Sequence, residues 1–205
     1  MGSKTMKKAL ALAICAVLLV TATVFTTIAY LTSQDTVTNT FTIGNVKITL
    51  DEADVDAYGV AIKPVAPATS VPRVKANEYK LIPGHSYTKD PTIHVAAGSE
   101  DCWLFVKLEN GLAGAEAAGT TIAAQMTSNG WTLIDSTNNV YARAGAKGTA
   151  GTDVAVFGSF KLSDSVNLTD YADAEIVVTA YAIQADGFAT AQAAWTAAGA
   201  GLLAA

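Results

Sequence analysis

Along most of this chain apolar side chains alternate with polar ones in short runs, and that period of two confines it to a fold built from strands. The clearest run is Cys102–Glu109, where Cys102, Leu104, Val106 and Leu108 form one face. Trp103 and Phe105 lie on the other, so part of that face is expected to be covered as well. Phe41 and Ile43 alternate in one phase, then Val46, Ile48 and Leu50 in the opposite one. A one-residue change of phase turns every side chain to the other face, which predicts a bulge or turn at Gly44-Asn45. Tyr79 and Leu81 begin a further strand, stopped by Pro83-Gly84, and Ile93 and Val95 belong to the next. Trp131 and Leu133 face Val140 and Tyr141 across a predicted hairpin around Asp135–Asn139. Val154–Leu162 and Glu175–Ile183 complete the set.

The segments between these runs read as connections. Asp51-Glu52-Ala53-Asp54 is an acidic turn, and Asn110–Gly119 a Gly/Ala-rich loop or short helix. Ala61–Asn77 holds Pro64, Pro67 and Pro72 and reads as an extended loop, because proline removes a ladder donor and fixes φ. The tail differs. Phe188, Ala191 and Trp195 are spaced near the helical period in an Ala-rich stretch that Gly199 is expected to close. Short strands separated by turn signals predict a mostly β chain. The expected architecture is an antiparallel jelly-roll-like β-sandwich with short helices, including one at the C-terminus.

The N-terminus carries a different signal. Lys4, Lys7 and Lys8 precede an uncharged run from Ala9 to Gln34, most apolar over Ala9–Val20. A positive start, an apolar stretch and small residues near a cut mark an export signal. Thr27-Ile28-Ala29 supplies the small residues, which places cleavage between Ala29 and Tyr30. The protein is therefore expected outside the membrane, secreted or at the cell surface. The run is long enough to span a bilayer, so an uncleaved anchor stays open as the one membrane contact. A lipoprotein signal is rejected, because Cys15 follows Ile14 and sits among apolar residues. With Cys15 removed, Cys102 is left alone, which rules out an intrachain disulfide and reads as a buried small hydrophobe.

Charge narrows the partners. Lys4, Lys7 and Lys8 are three of the 13 basic residues and none of the 18 acidic ones precedes residue 30, so the remainder carries 10 against 18, a net of −8. Such a surface repels phosphate backbones, and nucleic acid is not an expected partner. The two histidines form no HExxH, and no Cys–His cluster has zinc-ligand spacing. His85, Asp90 and His94 are the weak candidates for a metal site. Exposed turn and strand histidines are the plainer reading. Ala144–Gly151 is glycine-rich, but Lys147 is followed by Gly148, so the Lys-Ser/Thr ending of a phosphate loop is missing. Asp51–Asp56 lacks the ordered calcium-loop pattern and reads as a solvated turn. No catalytic residues, cofactor or enzymatic activity are expected.

Three segments together resemble the TasA/camelysin family of exported proteins of Gram-positive bacteria. They are Thr26–Ser33 leading into Phe41-Thr42-Ile43-Gly44, then Leu81-Ile82-Pro83-Gly84 running to Thr88–Ile93, then Gly98–Leu108. The resemblance covers roughly residues 1–110 by motif and reaches Ile183 by pattern. The Pro-rich insert and the Ala-rich tail after Asp186 depart from it. It implies processing by a SipW-type signal peptidase, a jelly-roll fold and, for the TasA branch, biofilm-matrix filaments joined by a donated N-terminal strand. The camelysin branch implies a surface metallopeptidase, and a monomeric adhesin or binding module is a third class. Taken together, residues 1–29 are the signal and 30–43 the candidate donor strand, with Tyr30, Leu31, Thr32, Val37 and Phe41 as its contact residues. Residues 44–186 are the sandwich with its insert at 61–77, and 187–205 the helix and tail. The expected partner is a second copy of the chain.

Overall fold

A computed structural model describes residues 32–36, 39–42, 46–64, 69–143 and 147–204. The strands are β1 (Thr32–Thr36), β2 (Asn39–Thr42), β3 (Ile48–Ala53), β4 (Arg73–Val74), β5 (Ser86–Thr88), β6 (Thr92–Val95), β7 (Cys102–Asn110), β8 (Trp131–Asp135), β9 (Val140–Arg143), β10 (Asp153–Ala155), β11 (Ser159–Lys161) and β12 (Ile176–Gln184). Among the described residues two α-helices, α1 (Ile122–Ser128) and α2 (Ala191–Leu203), join them, with 3-10 turns at Ala113–Ala115 and Leu168–Tyr171. One sheet runs β2-β1-β12-β7-β9-β8, a second β10-β6-β3-β4, and β11 pairs with β5. The chain is thus mostly β with antiparallel sheets, as the alternation predicts.

The two larger sheets share one core. Cys102, Leu104, Val106 and Leu108 of β7 and Val178, Ala180 and Ala182 of β12 meet Ile48, Leu50, Ile93, Val95 and Val154 of the second sheet. The opposite faces of β7 and β12 are also buried. Phe105, Tyr181 and Ile183 lie under α2, which inserts Ala191, Ala194, Trp195 and Leu202 against them. Strands covered on both sides lose the polar half of their alternation, which is why β7 places apolar residues in consecutive positions. Helix α2 starts where the Thr190 hydroxyl accepts the Ala193 N–H at 3.2 Å, an N-cap. It does not stop at Gly199, as the sequence suggests, but runs through it. A Cβ there would lie 2.5 Å from the Trp195 indole, so this glycine makes room for the ring rather than ending the helix.

Several connections differ from expectation. Asp51, Glu52 and Ala53 belong to β3 rather than to an acidic turn. The Pro-rich stretch is not loop throughout, since its end forms β4, which pairs with β3. Tyr79 and Leu81 pack on the core without forming a strand. The Tyr87 hydroxyl supplies the missing backbone partner there, accepting from Ile82 N and donating to Lys80 O, both at 2.7 Å. Val154–Leu162 is two strands, because Val156 and Phe157 are both buried in succession and break the alternation. The chain then leaves the second sheet and pairs with β5 as β11. The predicted phase change at Gly44-Asn45 lies outside the described residues. Among the described residues no helix is long and apolar enough to cross a membrane.

Candidate functional site

The candidate N-terminal segment meets the structure at β12. Thr32, Ser33, Gln34 and Asp35 of β1 lie opposite Ile183, Ala182, Tyr181 and Ala180, in antiparallel register. β1 then folds back on β2, where Gln34 faces Phe41 and Thr36 faces Asn39. Of the residues expected in the donor strand, Thr32 and Phe41 are therefore strand positions beside β12 or one strand removed. Ala29, Tyr30, Leu31 and Val37 lie outside the described residues.

β12 needs a neighbour on that side. It is nine residues long, and Val178–Ile183 are all buried. β7 pairs with its whole length on one edge, and β1 covers residues 180–183 on the other. Without β1 a long apolar strand would present unpaired N–H and C=O groups, the arrangement that recruits further strands. Ile176, Val177 and Val178 lie beyond the stretch that β1 covers, and they line a cleft of about 590 Å³. Its other wall is Leu50–Glu52 of β3 and the segment around Asn77 and Tyr79, and Leu112 and Phe160 also line it.

A buried ion pair lines this cleft. Glu52 points to the core side of β3, and its two carboxylate oxygens accept from Lys89 Nζ at 2.7 Å and Asn77 Nδ2 at 2.9 Å. Lys89 also lies 6.0 Å from the Tyr79 ring centroid, within cation–π reach. The edge of β3 is guarded too, because the Lys75 ammonium meets the Leu50 carbonyl.

The weak metal candidates are not assembled. His85 Nε2 contacts the Tyr58 carbonyl at 2.9 Å, and its ring stands edge-on to Tyr87. Asp90 binds Arg73 at 3.1 Å and accepts the Ala53 N–H. His94 sits between Asp51 and Asp153. Among the described residues no group of three or more His, Cys, Asp or Glu is placed to hold a metal ion. Cys102 is buried in the core with its thiol on the Gly148 carbonyl at 3.6 Å. Burial, with Asp101 adding to it, pushes its pKa up to about 12.

The sequence reading named none of these partners. Nothing in Thr32–Thr36 names β12 as its neighbour, and the Asp51 and Glu52 carboxylates read as solvated although one is tied to Arg73 and His94 and the other is buried. The phase of the alternation was the available signal for Glu52, since it shares a face with Ile48 and Leu50. Comparison with protein-family models, curated proteins and solved structures returned no match.

Proposed function

We propose that this chain is an exported structural protein that polymerises by lending its N-terminal strand to a neighbouring copy. On this reading it is a jelly-roll-like, TasA-type matrix protein, cut between Ala29 and Tyr30 by a SipW-type peptidase. The observation that carries the reading is the pairing of β1 with β12. β1 is the first described element, and the pairing is made by main-chain groups along a strand that is otherwise an apolar edge. Main-chain pairing is the same whether the added strand comes from this chain or from an identical one. Exchange of an identical element between copies keeps every contact and changes only the connection. Because donor and acceptor are different surfaces, an exchange that is passed on from copy to copy rather than returned extends into a fibre.

Cysteines at Ser33 and Ala182, which face each other in register, test the source of the strand. In filaments of Ser33→Cys/Ala182→Cys grown from residues 30–205, oxidation is expected to give a ladder of covalently linked copies. A chain starting at Gly44 is expected to form no filaments. Filaments from both chains, or cross-links only within single copies, would overturn the proposal.

A further inference from the structure

We propose that His94 is a proton-operated clamp that locks the four strands of the second sheet together while both of its ring nitrogens carry hydrogen. The proposal is independent of polymerisation and rests on a row of alternating charges across the outer face. In order they are Asp153 on β10, His94 on β6, Asp51 on β3, Arg73 on β4, and Asp90 just before β6. His94 Nδ1 lies 2.6 Å from Asp153 Oδ1, and Nε2 lies 2.9 Å from Asp51 Oδ1. Arg73 bonds Asp51 through Nε and Asp90 through Nη1, the latter at 3.1 Å. Every strand of the sheet contributes one member, so the row crosses it from edge to edge.

The register explains the geometry. His94 stands directly opposite Asp153 and Thr49, and diagonal to Asp51, which faces Thr92. Arg73 faces Ala53 and so is diagonal to Asp51 from the other side. Directly opposed and diagonal positions are the ones whose side chains meet on a sheet face.

Ionised carboxylates only accept hydrogen bonds, whereas a neutral imidazole donates from one nitrogen and accepts at the other. Two carboxylate oxygens facing both nitrogens are satisfied only by the imidazolium. Loss of one proton sets a lone pair against one of the two carboxylates, so only one of the two strands beside β6 stays bonded to the ring. Partial burial opposes the charge on His94, but hydrogen bonds and charge from Asp51 and Asp153 outweigh it and raise the pKa above its ordinary value of 6.5. The Asp51 carboxyl is held below its ordinary value, because bonds from Arg73 and His94 outweigh its own burial. Of the two contacts the one to Asp51 is the stronger, since Asp153 is 70% exposed and screened by water.

The direction with pH follows. A raised histidine pKa contributes stability fully present below about 6.5 and lost as pH climbs through the folded value. A lowered aspartate pKa contributes stability lost as pH falls through its folded value. The clamp therefore holds best in mildly acid solution. The elements it releases first are the short edge strands β10 and β4, which pair over three and two residues.

Residues 30–205 contain every described element and the whole core, so this chain serves for the test. In the His85→Gln background His94 is the one remaining histidine, and its ring protons are followed by NMR from pH 5 to 9 alongside amide exchange of Asp153–Ala155. The expected midpoint lies above 6.5. The opening constant of those amides, taken from exchange after correction for the hydroxide-catalysed intrinsic rate, and the unfolding constant should rise through the same midpoint, by up to about tenfold for each unit of pKa elevation. His94→Gln should flatten both curves. A midpoint at or below 6.5, or equal slopes with and without His94, overturns the proposal; the midpoint decides even if the glutamine variant does not fold.

Discussion

Replacing Lys89 with methionine would isolate a carboxylate inside the protein. Glu52 is 4% exposed, and the Glu52 and Lys89 side chains are 5% and 10% exposed at an N–O distance of 2.7 Å. Water screens such a pair poorly, so each charge depends on the other. Desolvating two charges costs several kcal/mol per ion, which their attraction offsets only in part, so the intact pair contributes little net stability. Half of the pair is another matter. Lys89→Met should cost about 3–5 kcal/mol, the range for breaking a buried ion pair from one side. At about 2–4 °C per kcal/mol for a domain of this size, the melting temperature should fall by roughly 6–20 °C. Methionine keeps an unbranched apolar stem beside Tyr79, so lost packing is a minor part of the change. The double variant Glu52→Gln/Lys89→Met removes both charges while leaving an oxygen for Asn77. Urea denaturation of the wild type, both single variants and the double variant gives the coupling directly, expected at about 1–3 kcal/mol. Single-variant losses that add within about 0.5 kcal/mol would refute the reasoning, because uncoupled charges cannot be a buried pair.

Two glycines of α2 should respond in opposite directions. Gly201→Ala meets no atom within 4 Å and should stabilise by up to about 1 kcal/mol, the helix-interior difference between the residues. Gly199→Ala drives its Cβ into Trp195 and should destabilise by about 1–3 kcal/mol in thermal denaturation. The Cys102 thiol, buried and with its pKa raised to about 12, should resist a disulfide reagent at pH 8 in the native protein and react once urea unfolds it.

What could be read from the sequence depended on how local the cause was. β7, β12 and the β8–β9 hairpin were legible because their own side chains carry the pattern. In the hairpin Asp135 accepts from Thr137 N and Asn138 N at 3.1 Å, and Asn139 takes a left-handed φ of 52°, which asparagine tolerates. Helix α1 was not legible, since its buried positions are Ile122 and Met126 alone, too few to show a period. Beyond its local Thr121 cap, it is tied to the rest of the fold by polar, non-local bonds. Gln125 Nε2 donates to Ser159 O at 2.8 Å, and its oxygen accepts from Gly158 N at 3.2 Å. The same holds for the charge row, whose members Asp51 and Asp153 lie 43 and 59 residues from His94 in the chain. Alternation says that a side chain faces outward, but only strand order says whom it meets.

Strand order also bears on how the proposed assembly would be reached. β1 is made well before β12, and Thr32 pairs with Ile183 about 150 residues away. Contacts of such separation form late, after local hairpins such as β8–β9. Until β12 settles against β7, β1 has no edge to join, and a neighbour whose own β1 has not yet docked on its β12 offers one at no cost in loop closure within the new chain. Once β12 is in place its own β1 competes as a tethered strand, at an effective concentration that a free neighbour matches only when crowded. The proposed exchange is therefore favoured where chains emerge close together. It is resisted in dilute solution, where each copy closes on its own strand.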